Sequence, residues 1–181
     1  MFGFAGSIQL MGGLSMRFAR PTDEDFLLEL FMSSRPWLDW TSHDRDFVRA
    51  LYEQQYKTMR IGHESLYPEH LDFVVEKTGQ AVARLMIDLG YADWRVTELE
   101  IHERARGKGI GSDLMRSLQA VAANAGMPLT LAVPMFLTKA QQFYARLGFG
   151  VVMQQPPVLQ LAWYPPGHPL AANARPFAAA G

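Results

Sequence analysis

A glycine-rich segment in the middle of the chain has the residue types and the spacing of an anion-binding turn. Gly107, Gly109 and Gly111 alternate with Lys108 and Ile110 directly before an amphipathic stretch. Glycines let the backbone turn tightly and approach a ligand closely, and the first amides of the helix that follows have no partner within that helix. These amides and the positive end of the helix dipole favour a bound anion. The segment therefore predicts a phosphate-binding turn.

Two common nucleotide-binding motifs do not match this turn. A P-loop needs a lysine followed directly by serine or threonine, whereas Lys108 lies between two glycines and Ser112 comes four residues later. A dinucleotide fingerprint needs one more residue in the turn and an acidic residue about 20 positions further on, where this chain has the apolar segment 129–133. Both motifs are excluded by their spacing.

The turn lies between a predicted strand and a predicted helix. Apolar residues recur at helical spacing over 111–125, and the next apolar run predicts a strand parallel to the one before the turn. The fold class is therefore α/β (α+β), a mixed, mostly antiparallel sheet of six to seven strands with helices on both faces. Strands are predicted at 17–20, 71–76, 81–88, 95–102, 129–133, 149–153 and 158–164, and helices at 23–33, 44–60, 111–125 and 138–147, with Thr138 as a cap and Gly62, Gly126 and Gly148 as helix ends.

Length and composition predict one domain. Of 181 residues about half are apolar, which is enough for one core, and we place the domain at 16–164. Residues 1–15 form an apolar, glycine-rich N-terminal extension that lacks the basic start of a signal peptide and is too short to span a bilayer. Residues 165–181 are rich in proline and alanine without periodicity, so we expect a disordered tail.

Charge and residue counts narrow the classes of partner. With 17 basic and 18 acidic residues the formal net charge is −1, which argues against a nucleic-acid partner. The chain has no cysteine, and its five histidines lack metal-ligand spacing, so we expect no metal. We also expect no membrane association, and a reducing cytoplasm is the default location.

Several segments in order resemble the GNAT (GCN5-related N-acetyltransferase) family. Arg106, Gly109 and Gly111 fit its signature of Arg or Gln, two residues, Gly, one residue, and Gly or Ala after the fourth strand. The segment 17–25 resembles the family's first strand and helix start. Leu99-Glu100-Ile101 and the segment 143–149 are similar to two further landmarks. The resemblance covers nearly the whole of the predicted domain.

The resemblance implies an acyl-CoA donor, most simply acetyl-CoA. In the family the fourth and fifth strands splay apart and admit the pantetheine arm, and an amide of the fourth strand meets the thioester carbonyl. Here that amide would belong to Ile101. Backbone amides of the turn would hold the pyrophosphate. The implied cofactor-binding residues are Ile101, His102, Arg106, Gly107, Lys108, Gly109, Ile110, Gly111 and Ser112.

The resemblance also implies catalytic residues. Tyr144 matches the family tyrosine that can protonate the departing thiolate, although a buried tyrosine on a helix is also explained by packing. The family commonly has an asparagine seven positions earlier, where this chain has Leu137. Glu98 and Glu100 share one face of the predicted strand and are candidates for the general base, with exposed salt bridges as the alternative.

The sequence thus predicts an enzyme, an N-acetyltransferase that moves acetyl from acetyl-CoA to a primary amine by direct attack in a ternary complex. A non-catalytic acyl-CoA-binding module, or an O-acyl or longer-acyl transferase on the same fold, stays open. The acceptor is a small-molecule or peptide amine, and Trp37 and Trp40 could stack on it. A homodimer is common among similar proteins.

Overall fold

A computed structural model describes residues 6–36 and 44–177. Trp37 and Trp40, offered above as acceptor contacts, lie outside these ranges. Within the described ranges the chain forms eight strands and four α-helices, one strand more than the highest number predicted. The strands are β1 (Ile8–Gln9), β2 (Leu14–Phe18), β3 (Leu71–Lys77), β4 (Gln80–Leu89), β5 (Trp94–Ile101), β6 (Leu129–Pro134), β7 (Gly150–Gln155) and β8 (Val158–Trp163), and the helices are α1 (Glu24–Ser34), α2 (Arg45–Leu66), α3 (Ile110–Ala125) and α4 (Thr138–Arg146).

The mixed, mostly antiparallel sheet that the sequence predicts is confirmed. The described residues fall into two compact units, one drawn from 1–87 and 98–111 and the other from 88–97 and 112–181. In the first unit the strand order is β1-β2-β3-β4-β5, and its antiparallel pairs include Val74 with Arg84. In the second unit the order is β5-β6-β8-β7. That one domain spans 16–164 stays a prediction.

The parallel ladder between β5 and β6 is short. Its pairs are Trp94 with Leu129 and Arg95 with Thr130, at the first residues of both strands. β6 instead pairs antiparallel with β8 along its whole length, from Leu129 to Pro134. Pairing only at the first residues of β5 and β6 agrees with the splayed central strands that the family resemblance implies.

Helices α1 and α2 bury their apolar faces in the core of the first unit. Leu27, Leu30 and Phe31 of α1 recur at helical spacing, and Tyr52 and Tyr56 of α2 meet them. Burial of this cluster stabilises the unit by about 25 cal/mol per Å² of apolar surface removed from water. It also fixes the end of α1, which carries part of the site described below.

The predicted end of α2 at Gly62 is wrong. The helix continues to Leu66, and the Tyr67 amide closes it by donating to the carbonyl of His63 over 2.8 Å. A glycine inside a helix costs about 1 kcal/mol relative to alanine. Beyond Gly62 the partly buried His63 ring contacts the rings of Tyr67 and His70, at 6.2 and 6.3 Å between centroids, and these contacts together with the closing hydrogen bond hold the last turn.

The two ends of α4 differ in how well they were predicted. Thr138 is not the cap, because the residue preceding the helix is Leu137, which offers no side-chain hydrogen bond. Gly148 is confirmed as the residue that ends the helix. Its φ is +82° and its amide donates to the carbonyl of Ala145 over 3.0 Å.

Both terminal segments contain more structure than the sequence indicates. In the segment 1–15, β1 pairs with β2, and Leu14 is fully buried. In the predicted tail, Val151 and Arg175 exchange backbone hydrogen bonds of 2.8 and 3.0 Å. A side chain on Gly150 would meet the carbonyl of Arg175 at 2.8 Å, so the tail lies directly on the strand. Backbone pairing with β7 thus holds Arg175, while disorder of the tail as a whole stays a prediction.

Candidate active site

The glycine turn connects β5 to α3 and presents an open backbone surface. Gly107 and Gly109 adopt φ values of +72° and +77°, which only glycine takes without strain. A Cβ at either position would meet no atom within 4 Å. The glycines are therefore required by backbone conformation, and the space above them is free for a ligand. Ile110 and Gly111 begin α3, so their amides are among those that a helix leaves without an internal partner.

Arg106 ties this turn to two neighbouring elements of the first unit. Its Nε donates to the carbonyl of Ile101 at the end of β5 over 2.9 Å. Its Nη2 donates to the carbonyl of Ser33 near the end of α1 over 3.1 Å. The Arg106 amide also donates within the loop, to the carbonyl of Glu103 over 3.2 Å. The side chain predicted to contact the cofactor thus holds the turn in place.

His102 is buried at the start of the same loop, and all its polar groups bond within the protein. Its amide donates to the carbonyl of Val82 over 2.9 Å. Its Nδ1 accepts from the Arg104 amide over 3.2 Å, so the other ring nitrogen carries the proton and donates to Glu29 over 2.9 Å. The ring also stacks on Phe26 at 6.2 Å between centroids. His102 therefore fixes the loop before the turn.

The two candidate carboxylates lie together, bound by one arginine. Arg35 Nη2 donates to Glu98 over 3.1 Å, and Arg35 Nη1 donates to Glu100. The Ser34 hydroxyl adds a 3.0 Å hydrogen bond to Glu100. The Glu98 side chain is 19% exposed and that of Glu100 is 2% exposed. The sequence left open that these glutamates form exposed salt bridges. Both do form ion pairs, but neither side chain is exposed.

The electrostatics of the pair differ from those of ordinary surface glutamates. Burial raises the pKa of Glu98 to about 7, the positive charge of Arg35 opposes the rise, and the neighbouring Glu100 adds to it. Among the described residues, Glu100 Oε2 has no hydrogen-bond partner. A carboxylate with a pKa near 7 can accept a proton at neutral pH and release it again.

Arg35 is the residue of this carboxylate cluster that the sequence did not reveal. It follows the last residue of α1, and its guanidinium lies 4.1 Å from the centre of the Phe31 ring. Its carbonyl accepts from the Tyr52 hydroxyl over 3.0 Å. Its carboxylate partners lie 63 and 65 residues away in sequence, so no local pattern joins them. The available signal was an arginine at a helix end, which is common on protein surfaces.

Tyr144 belongs to the second unit, whereas the turn and both carboxylates belong to the first. It lies on α4 and is 9% exposed. Its ring centre lies 5.0 Å from that of Phe143 and 5.5 Å from that of Phe149, in edge-to-face contacts. Packing therefore accounts for the buried ring.

These features, a glycine turn after a strand that carries paired carboxylates, agree with a known family. The model of the acetyltransferase (GNAT) family matches residues 26–149, which is more than half of the chain. The chain belongs to the GNAT acetyltransferase family. The match includes β5, the turn, α3 and Tyr144, and so contains every residue predicted for the site.

The relatives of this GNAT chain are distant. An uncharacterized N-acetyltransferase of Methanocaldococcus jannaschii is 26% identical over 117 residues, which cover 61% of this chain and 74% of the relative. The fold resembles PaiA N-acetyltransferase from Thermoplasma acidophilum in complex with coenzyme A, with a TM-score of 0.64, 13% identity, and coverage of 83% and 98% of the two chains. It also resembles RimL, a ribosomal L7/L12 alpha-N-protein acetyltransferase in complex with coenzyme A, with a TM-score of 0.60, 14% identity, and coverage of 88% and 98%. At these identities the structures establish the fold.

Two kinds of feature are absent from the residues that the structure describes. No three His, Asp or Glu side chains converge there as metal ligands. None of the described helices has both the length and the apolar character needed to cross a bilayer.

Proposed function

We propose that this protein transfers an acetyl group from acetyl-CoA to a primary amine by direct attack in a ternary complex. The observation that carries the proposal is the open glycine turn at the start of α3 in a chain of the GNAT family. Two of the solved structures that share the fold hold coenzyme A, which supports the choice of donor.

The residues of the turn fit a CoA pyrophosphate. The free space above Gly107 and Gly109 lets a phosphate reach the backbone, and the amides of Lys108, Ile110, Gly111 and Ser112 continue the same cradle. Arg106 and His102 contribute by fixing this loop, since Nε and Nη2 of Arg106 and both ring nitrogens of His102 already bond within the protein. When bound, acetyl-CoA supplies the activated acetyl thioester. We assign to the backbone amide of Ile101 the role of facing the thioester carbonyl, where it would stabilise the negative charge that develops on the carbonyl oxygen.

Glu98 is the carboxylate best suited to act as the general base. An amine attacks in its neutral form, so a group must take up the proton of its ammonium form. Glu98 is more exposed than Glu100, and its pKa of about 7 matches the task. Glu100 accepts hydrogen bonds from Arg35 and Ser34, and we assign it the role of holding Arg35 in place. Catalysis by Glu100 itself, which the sequence left open, is the less favoured assignment.

Tyr144 is proposed as the acid that returns a proton to the leaving thiolate. Its position in the family pattern supports this role, and its buried, packed ring would hold the hydroxyl in one direction. Leu137, which stands where the family often has asparagine, offers no polar group to the cofactor or acceptor.

One observation favours the rival function, a non-catalytic acyl-CoA-binding module. Both candidate carboxylates are engaged by Arg35, and an arginine at this distance opposes protonation of Glu98. The two functions differ in whether free CoA thiol appears when acetyl-CoA and amines are mixed with the protein. A suitable panel contains polyamines, aminoglycosides, amino sugars and peptides with free N-termini. Mass spectrometry of the product separates N-acetyl from O-acetyl or longer-acyl transfer.

The location and assembly of the protein are also proposals. The chain carries no cysteine, which suits the cytoplasm, and we propose a small-molecule or peptide amine as its acceptor. A homodimer is proposed on family grounds alone, and sedimentation would test it.

A further inference from the structure

A cleft of about 300 Å³ lies beside the glycine turn and has an unusual charge. It is bounded by the hairpin between β3 and β4 and by the loop that leads into α3. Lys77, Arg104 and Lys108 line it, and no Asp or Glu is among the described residues that do so. The whole chain has a net charge of −1, so this concentration of positive charge is local.

The three basic residues of the cleft contrast with three arginines of the same unit that form ion pairs. Arg17, Arg35 and Arg84 each meet a carboxylate within the protein. Neither Lys77 nor Lys108 forms an ion pair with any described residue, and the Arg104 guanidinium reaches only the ring nitrogens of His102, at 3.4 and 3.5 Å. Three uncompensated cations around one small cleft repel one another, and a bound anion removes that repulsion.

The cleft adjoins the proposed pyrophosphate cradle through one residue. Lys108 stands between Gly107 and Gly109 in the turn, and it is also one of the residues that line the cleft. Ile110, the first residue of α3, also lines it. An anion in the cleft would therefore lie next to, but separate from, phosphates held by the backbone of the turn.

We propose that this cleft binds a phosphomonoester. Such a group is compact, carries a charge of about −1.5 to −2 at pH 7, and offers three acceptor oxygens to three basic side chains. It has two possible sources. One is the 3′-phosphate of coenzyme A, and this assignment rests on the proposed function. The other is a separate phosphorylated molecule, such as a regulator.

The test compares ligands that differ by one phosphate. Calorimetric titration measures the Kd of wild-type protein for coenzyme A and for 3′-dephospho-coenzyme A. We expect coenzyme A to bind about tenfold more tightly. In Lys77→Ala this preference should shrink about threefold or more, whereas Lys77→Arg should restore it. Lys57→Ala is the matched control, because Lys57 is an exposed lysine on α2 of the same unit.

A second arm uses inorganic phosphate and distinguishes the source. Phosphate should raise the melting temperature of the wild-type protein above that in chloride of equal ionic strength, and the rise should be smaller in Lys77→Ala. If the two coenzymes bind equally but phosphate stabilises in this Lys77-dependent way, the cleft serves a separate phosphorylated ligand. Equal coenzyme affinities together with no Lys77-dependent phosphate effect would overturn the proposal. If the protein binds neither coenzyme A nor 3′-dephospho-coenzyme A, the proposed function is refuted. The melting temperatures in phosphate then test by themselves whether the cleft binds a phosphomonoester.

Discussion

Arg35 Nη2 lies 3.1 Å from Glu98 Oε1, and this contact links the end of α1 to the middle of β5. The same guanidinium holds Glu100, so one arginine fixes two carboxylates that alternate along a strand. The contact keeps Glu98 oriented, and it limits how far burial raises the pKa of Glu98. The proposed base and the arginine that lowers its pKa thus come from elements far apart in sequence.

Removal of the proposed base should reduce the chemical step. Glu98→Gln keeps the size and shape of the side chain but cannot take a proton, so we expect turnover to fall by about 10²-fold or more. The KM for acetyl-CoA should change little. Initial rates of thiol release measure both constants, and Glu53→Gln, at an exposed glutamate of α2, is the control. Unchanged turnover in Glu98→Gln would remove Glu98 as the base.

Loss of Arg35 should shift the pH dependence of the rate. The positive charge of Arg35 lowers the pKa of Glu98, so Arg35→Met should raise that pKa and move the rising limb of the pH–rate profile above about 7. Because this change also leaves Glu100 buried without its cation, stability should fall by about 3 kcal/mol. Arg49→Met, in an exposed pair with Glu53, should do neither. An unshifted profile in Arg35→Met would restrict Arg35 to a structural role.

Glu98 should also make folding stability depend on pH. Its pKa is about 7 in the folded protein, above its ordinary value of 4.5, so the folded state binds more protons than the unfolded state between these limits. Stability therefore falls as pH rises from about 4.5 to 7, by at most about 1.4 kcal/mol per pH unit, and the penalty is complete above 7. Urea unfolding of wild-type protein and Glu98→Gln at several pH values measures this. A difference between them that does not vary with pH would contradict the assignment.

Two glycine substitutions should change stability in opposite directions. Gly109→Ala places a side chain at a φ of +77°, which should cost about 1 kcal/mol although the space is free. Gly62→Ala, inside α2 and equally unobstructed, should stabilise by up to about 1 kcal/mol. Urea unfolding of both variants without ligand gives the two values. Equal changes in the free energy of unfolding in the two variants would show that a side chain at position 109 does not strain the turn.

The hydroxyl of Tyr144 should matter for turnover and not for donor binding. Tyr144→Phe keeps the packed ring, so the Kd for acetyl-CoA should stay within about twofold while turnover falls about tenfold or more. Tyr164→Phe, in the same unit, is the control. Steady-state rates and calorimetry separate the two constants. If turnover is unaffected, packing alone explains Tyr144.

Local patterns predicted much of this fold, because they report local geometry. The apolar stripes of α1 and α3, and the glycines that end α3 and α4, each act within a few residues, and all lie close to where they were expected. Two relations that the sequence did not reveal are instead long-range. The tail is held by its pairing with Val151, and Arg35 by carboxylates more than 60 residues away. Neither the pairing of the tail nor the ion pairs of Arg35 produces a periodic pattern in the sequence.

The same distinction holds for the site. The glycine turn has a local signature, so its position and its link to α3 were predicted. The spacing of Glu98 and Glu100 placed them on one face of β5, but their burial depends on the end of α1, which covers them in three dimensions. The raised pKa of Glu98 therefore could not be derived from alternation alone.

The central claim is acetyl transfer from acetyl-CoA to an amine, and release of free CoA thiol tests it most directly. Wild-type protein is mixed with acetyl-CoA and each amine of the panel, with thiol measured continuously and the acceptor examined by mass spectrometry. We predict thiol release that depends on at least one amine, with one acetylated amine formed per thiol and a rate that rises through about pH 7. Stabilisation by acetyl-CoA without amine-dependent thiol release from any acceptor would contradict the claim and leave a binding module.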